Sequence, residues 1–317
     1  IILVKIKTAR AFDAVVNIKV GAINETAKNR GISHFLEHLS FQGTKNYSDY
    51  KLFSEKIEFE GIYDNGQTGK LGTSYLISSS YDKAEKAIDL LYEVVFLSTL
   101  PESRIENTRQ VIASEYFDRW SEPINRFNQK MLIKRTKNKN IYQYPSVGEL
   151  KTIRSFTRKD ILMWKNKYYQ PANMVLSAAG NFNQKKIIAK IKNTFGREKT
   201  IKKIEKPPRP KIIYSDFLVY HQKIRPDQIK FILSFPTFGF QEVEPKKFIQ
   251  SEFLSLIIGN SHSSRLSKVL REDNDLVYFV TSNISDFPFM GEFIISGSVT
   301  KSNLFRTIKL IKKELEK

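Results

Sequence analysis

Gly31-Ile32-Ser33-His34-Phe35-Leu36-Glu37-His38 places two imidazoles four residues apart, with a carboxylate immediately before the second. On a helix, residues i and i+4 stand one turn apart on the same face, so the ring nitrogens of His34 and His38 can reach one metal ion. Glu37 follows His34 by three positions, which brings its carboxylate beside that ion without requiring it as a ligand. This is the order expected of a general base acting on metal-bound water. Of the four histidines, His34, His38, His221 and His262, the first two alone have this spacing. The pattern H-x-x-E-H is nevertheless short, and two helix histidines beside a surface acid would spell it equally well.

The length of 317 residues suits about two domains of ordinary size. With 41% hydrophobic and 12% aromatic residues the chain can build real cores, and no apolar run approaches the roughly 18 residues of a membrane span. Cysteine is absent, which excludes disulfides, thiolate ligands and a cysteine nucleophile. Any metal must therefore be held by histidine and carboxylate. Lys and Arg number 52 against 33 Asp and Glu, and the net charge of +19 raises nucleic acid or an anionic surface as partner. The excess is lysine spread along a chain also rich in Ile and Asn. Its denser runs, Lys134-Arg135-Thr136-Lys137-Asn138-Lys139 and Lys199-Thr200-Ile201-Lys202-Lys203, read as solvated faces and linker, so no nucleic acid partner is expected.

Outward from the motif, alternation in Ala14-Val15-Val16-Asn17-Ile18-Lys19-Val20 predicts a strand, and residues 24–30 a loop entering the His34 helix. Ser48 is the expected N-cap of a second helix reaching about Glu60-Gly61. Thr73-Ser74-Tyr75-Leu76-Ile77 reads as strand, followed by a helix with Ala84, Ala87, Ile88, Leu91 and Val95 on one face. A further helix opens at Pro101-Glu102 and carries Ile105, Ile112 and Tyr116 on its apolar side. Glu115 lies at the margin of that side, either a surface residue at the edge of the core or a group held inward.

The Pro- and Lys-rich stretch 197–211, with Pro207-Pro208-Arg209-Pro210, has the composition of an extended linker. It divides the expected domains, 1–196 and 212–317. Beyond it, Lys230-Phe231-Ile232-Leu233-Ser234 and Glu292-Phe293-Ile294-Ile295-Ser296 read as strands, the second feeding a helix with Leu304, Ile308, Ile311 and Leu315 aligned. That strand-then-helix unit echoes residues 73–95, as a diverged internal duplication would. Ile1-Ile2-Leu3-Val4-Lys5-Ile6 reads as a strand entered midway, and the chain stops inside its last helix, so the second domain is expected to be incomplete.

These residues resemble the pitrilysin/insulinase family of inverted-motif zinc peptidases, particularly members like mitochondrial processing peptidase and its bacterial counterparts. The likeness begins at Gly31–His38 and continues through Phe41-Gln42-Gly43-Thr44 and the strand Asn65-Gly66-Gln67-Thr68 with Thr73 and Tyr75. It extends over Tyr144-Pro145-Ser146-Val147-Gly148, Tyr169-Gln170-Pro171-Ala172-Asn173-Met174-Val175-Leu176 and Gly180-Asn181-Phe182. In the second half, Ser263-Ser264-Arg265-Leu266 and Leu270-Arg271-Glu272 lead to Tyr278. The family's third zinc ligand is a Glu about 76 residues past the second histidine, and 76 residues separate His38 from Glu115. Two departures stand out: Thr108 occupies the place where many relatives carry an acid two turns before that ligand, and Gly66 replaces the usual Ala, which is expected to loosen the strand.

The resemblance implies an α+β fold of two homologous domains, each a mainly antiparallel sheet packed with helices. It implies one Zn2+ per chain on His34, His38 and Glu115, with Glu37 as general base on zinc-bound water and the fourth position open, as catalytic zinc requires. Asn65 and Gly66, on a polar strand, would pair with an extended peptide, and Arg271 and Tyr278 would hold substrate from the second domain. The implied activity is metallopeptidase hydrolysis of unfolded or short polypeptides in the cytoplasm, by a homodimer or a paralogous heterodimer. A catalytically silent partner subunit of the same family is the alternative, and loss of a ligand or of the base would be its mark.

Overall fold

The computed structural model describes residues 1–200, 204, 207, 209–215, 218–225, 227–285 and 287–317. In chain order the elements begin with β1 (Ile2–Lys5), β2 (Ala11–Ile18), α1 (Ile32–Ser40), α2 (Tyr50–Phe59), β3 (Tyr63–Thr68), β4 (Thr73–Ser80), α3 (Ala84–Val95) and α4 (Ile105–Ser121). They continue with α5 (Pro123–Lys134), α6 (Leu150–Ile153), α7 (Arg158–Tyr168), β5 (Met174–Gly180) and α8 (Gln184–Asn193). The last are β6 (Leu218–Arg225), β7 (Gln228–Thr237), α9 (Pro245–Ile258), α10 (Arg265–Ser267), β8 (Val280–Ile284), β9 (Gly291–Val299) and α11 (Leu304–Leu315). Two compact units result, Ile1–Asp118 with Tyr144–Pro207, and Arg119–Gln143 with Pro208–Lys317. The fold is the expected mixture of two sheets with helices.

In the first unit the strands run in the order β1-β5-β2-β4-β3. Pairing is antiparallel except between β1 and β5, which are parallel. The alternation read in β2 sends Phe12, Ala14, Val16 and Ile18 into the core, and Tyr75 and Ile77 of β4 join them. Helices α1, α3, α7 and α8 add to that core, among others Phe35, Leu36, Leu39, Leu91, Ile161, Trp164 and Ile187. The opposite face of the sheet is polar: Ser74 donates to Asn17 at 2.6 Å, and Ser78 to Asp13. Strand β3 closes one edge, pairing among the described residues with β4 alone, with Gly66 opposite Tyr75 and no interruption of the ladder at Gly66. The start of α2 departs from expectation: Asp49, not Ser48, is the N-cap, its carboxylate accepting from Leu52 N at 3.0 Å.

In the second unit four antiparallel strands run in the order β6-β7-β9-β8. Phe231-Ile232-Leu233 of β7 are consecutive and all buried because both faces of the strand are covered. Phe231 and Leu233 pack with Leu270, Ile295 and Ile311, while Ile232 meets Phe127 and Met131 of α5. Residues Arg119–Gln143 therefore pack with the second sheet although they precede the linker in the chain. Along the sequence we retain 1–196 and 212–317 as the proposed domains; the linker positions 201–203, 205–206 and 208 lie outside the described residues. Among the described residues no helix is long and apolar enough to cross a membrane.

Candidate metal centre

Helix α1 has nine residues, too few to persist alone in water, where isolated helices shorter than about 12–15 residues are marginal. Its apolar face holds it: Ile32, Phe35, Leu36 and Leu39 are buried, each worth roughly 1.5–3 kcal/mol on burial. The N-cap is Gly31, at φ 91° and without a capping side chain. A Cβ there would also stand 2.7 Å from Val147 O, so glycine is required on two counts. The buried amides at the start of the helix are taken up by Glu25, which accepts from Gly31 N at 2.8 Å and Ser33 N at 3.0 Å. A carboxylate at this end also complements the helix dipole.

The C-terminal turn of α1 is pinned by a chain of hydroxyls whose direction follows from its end. Ser40 donates to Leu36 O at 2.8 Å, so it can only accept from Tyr75 at 3.2 Å. Tyr75 in turn accepts from Tyr169 at 2.8 Å. All three side chains are buried, and the chain ties α1 to β4 and to the end of α7.

Between these anchors the polar face of α1 presents His34 and His38, whose Nε2 atoms lie 3.2 Å apart. Glu115 reaches them from α4. Its carboxylate oxygens lie 3.6 Å from His34 Nε2 and 3.4 Å from His38 Nε2. On α4 the buried residues are Ile105, Thr108 and Ile112, and Glu115 extends that same stripe by three positions. It is thus a group held toward the imidazoles, with its side chain 45% exposed. Ligands held about 2.0–2.1 Å from a tetrahedral zinc stand about 3.3–3.4 Å from one another. The separation of the two imidazole nitrogens, and the separations from each of them to one or the other oxygen of Glu115, lie close to that length.

Glu37 is 6% exposed, and a carboxylate oxygen of it falls within 4.8 Å of the imidazole nitrogens. Burial pushes its carboxyl up, opposed by His38 and by a hydrogen bond from Thr68. For His38, burial disfavours the charged ring, yet the bond to Glu115 and the charges of Glu37 and Glu115 raise it. Glu115 is lowered by its bond to His38 against the effect of partial burial. Two carboxylates facing two imidazoles make a field that favours a cation, and the donor set of nitrogen and carboxylate oxygen suits zinc.

The other sequence-derived positions are placed as follows. Asn65 is exposed on β3, its side-chain oxygen accepting from Gly66 N at 2.9 Å, and Gly66 lies against Glu37. Arg271 and Tyr278, in the second unit, meet one another, the guanidinium 5.8 Å from the ring centre, with Tyr278 81% exposed. Thr108 is buried two turns before Glu115, and its hydroxyl has no hydrogen-bond partner among the described residues. Sequence reasoning gave no role to Glu25, whose contact with α1 crosses an irregular loop. It also gave none to Thr68, although its position two residues after Gly66 places both on one face of β3.

The chain matches the family description Insulinase (Peptidase family M16) over residues 1–148 and Peptidase M16 inactive domain over residues 155–317. An uncharacterized zinc protease of Rickettsia felis is 29% identical over 299 residues, spanning 94% of this chain and 71% of that one. The mitochondrial-processing peptidase subunit beta of Saccharomyces cerevisiae is 32% identical over 183 residues, 56% of this chain and 38% of that one. Among solved structures, a protease from Helicobacter pylori superposes with a TM-score of 0.84 at 25% identity, over 98% of this chain and 76% of that one. Both halves of the sequence being matched, the chain belongs to the insulinase family, peptidase family M16.

Proposed function

We propose that this protein is a zinc metalloendopeptidase in which His34, His38 and Glu115 hold one Zn2+ and Glu37 is the general base. The observation that carries the reading is the set of separations, 3.2, 3.4 and 3.6 Å, among the imidazole nitrogens and the carboxylate oxygens of three side chains that come from two helices. When bound, zinc supplies Lewis-acid chemistry, activating water near neutral pH and polarising a carbonyl. Glu37 takes the proton of the attacking water and returns it to the leaving amine nitrogen, so that one peptide bond and one water become a carboxylate and an amine.

The substrate is a peptide in extended form. Strand β3 has one edge unpaired within its sheet, and main-chain pairing to such an edge accepts many sequences. Asn65 and Gly66 are the proposed binding positions on it, and unfolded or short polypeptides fit an edge better than folded ones. Arg271 and Tyr278 are proposed to donate hydrogen bonds to the substrate backbone. One relative is named as a subunit, and assembly with a second copy or a paralogue is part of this reading.

The test is metal analysis and cleavage of a peptide library by the full-length protein and by Glu37→Gln. The amide is nearly isosteric but cannot accept the proton, so zinc stays bound while turnover falls by about 10²–10⁴. Near-normal turnover in that variant would assign the base elsewhere.

A further inference from the structure

A zinc site tolerates donor placement to about 0.2 Å, so the helix that carries Glu115 has to be fixed in rotation as well as in position. At a radius of about 6 Å, turning α4 by about 10° on its own axis would carry the Glu115 carboxylate about 1 Å. The apolar grip on this helix is slight. Of its 17 residues Ile105, Thr108 and Ile112 are buried, all on the N-terminal side of Glu115. Rotation has to be stopped by a side chain set off from that stripe.

Arg109 is so placed. At about 100° per residue, Arg109 and Glu115 stand about 120° apart around α4, one on each flank of the line through Ile105 and Ile112. The Arg109 side chain is 15% exposed. Its Nη1 donates to Ile153 O and its Nη2 to Phe156 O at 3.0 Å, so one planar fork grips both ends of the turn 153–156. Nε donates to Glu106 Oε2 at 2.9 Å, which steadies the fork from its own helix. The same turn reaches α1. The Phe156 ring meets the Phe35 ring edge to face, with centroids 5.6 Å apart, and the guanidinium itself stands 5.8 Å from the Phe35 ring centre. Phe35 is fully buried and directly follows His34.

We propose that Arg109 is a positioning residue for Glu115: by bridging α4 to residues 153–156 and to Phe35 of α1, it sets the rotation of α4 at which the carboxylate faces His34 and His38. This rests on the reading of His34, His38 and Glu115 as the zinc ligands. The imidazoles have anchors of their own on α1, Glu25 at one end and Ser40 at the other, so loss of Arg109 falls on Glu115. Lysine does not substitute, since a single ammonium cannot reproduce a fork that spans two carbonyls.

The test measures the zinc affinity of the full-length protein by chelator competition, with unfolding of the metal-free form as a check on folding. The proteins are the parent, Arg109→Met, Arg109→Lys, Glu115→Gln and the double variant Arg109→Met/Glu115→Gln. Arg109→Met is expected to weaken zinc about 10- to 100-fold, as loss of a supporting partner does, and Arg109→Lys nearly as much. In the Glu115→Gln background the same Arg109→Met change should cost no more than about twofold, because the group it aims is gone. A merely structural role would weaken zinc by one factor in both backgrounds, and that result overturns the inference. Parent-like affinity in Arg109→Met or Arg109→Lys, with Glu115→Gln binding weakly, overturns it as well and leaves the ligand reading standing. If Arg109→Met fails to fold, Arg109→Lys with and without Glu115→Gln carries the same comparison. Glu115→Gln binding zinc as tightly as the parent removes the ligand reading and this inference together.

Discussion

Glu115 Oε1 stands 3.4 Å from His38 Nε2, although 76 residues of chain lie between them. The relationship joins two helices, α4 and α1, through side chains alone. A cluster assembled from two elements binds an ion only while both are held, and each donor contributes to a set of three that leaves the fourth position open. Removing any one donor should therefore cut affinity by more than the roughly 10- to 100-fold typical of losing a supporting partner. His34→Ala, His38→Ala and Glu115→Gln proteins, equilibrated with a zinc chelator of known affinity, provide the measurement. Stoichiometric zinc in the His34→Ala/His38→Ala double variant would reject the centre.

Arg271 and Tyr278 test the second unit. Arg271→Ala and Tyr278→Phe are expected to leave zinc content unchanged and to lower kcat/KM by roughly 10² if they donate to the transition state. Loss confined to KM would mean that they bind ground state and transition state alike. Unaltered kinetics in both variants, with folding verified, would remove them from the substrate site.

Glu25 offers a way to disturb α1 without touching its polar face. Glu25→Ala removes the acceptor for the amides of Gly31 and Ser33 in a buried setting. Leaving buried donors unmade costs about 1–3 kcal/mol, which denaturant unfolding of the metal-free protein can register. Glu25→Gln, keeping one side-chain oxygen, should lose less. Equal stability of all three proteins would show that water replaces the cap.

Lys165 makes stability depend on pH. Its ammonium donates to Ser98 O at 3.0 Å and Phe96 O at 3.3 Å, but burial holds its pKa down to about 8 from an ordinary 10.5. Below about pH 8 both folded and unfolded chains carry the proton, and the cost of burying the charge is present in full. Between about 8 and 10.5 the folded chain has released a proton that the unfolded chain still binds, so stability from this group rises with pH. Relative to Lys165→Met, the parent should gain up to about 3 kcal/mol across that window, since a tenfold change in proton affinity is worth about 1.4 kcal/mol. Comparing the two proteins cancels the other lysines and the tyrosines that titrate there. A difference independent of pH would show that the ammonium is well solvated.

What lay within one turn of helix or along one strand was legible in the sequence. The spacing of His34, Glu37 and His38 required only helical geometry, and the alternation in β2 marked a strand, whose Ala14, Val16 and Ile18 are buried. Glu115 was named by resemblance. Periodicity left it open between a surface residue and an inward one, and the packing of α4 decided for inward. The unbroken apolar run of β7 predicted a strand, but only the placement of α5 showed what covers its second face, and with it why residues 119–143 keep company with the later sheet.

The rest depended on contacts that local pattern does not encode. Whether Ser48 or Asp49 caps α2 turns on where the helix begins, and Asp49, in extended geometry, is the residue whose oxygen accepts from Leu52 N. Gly66 read as a weak point in a strand; pairing with β4 keeps the ladder whole. The sequence by itself determined which side chains can bind metal and move a proton, because those are properties of residue type and short-range spacing. Only the tertiary structure decided how they are aimed, because the atoms that aim them, Glu25, Thr68, Tyr75 and Tyr169, come from separate segments brought together by burial of a common core.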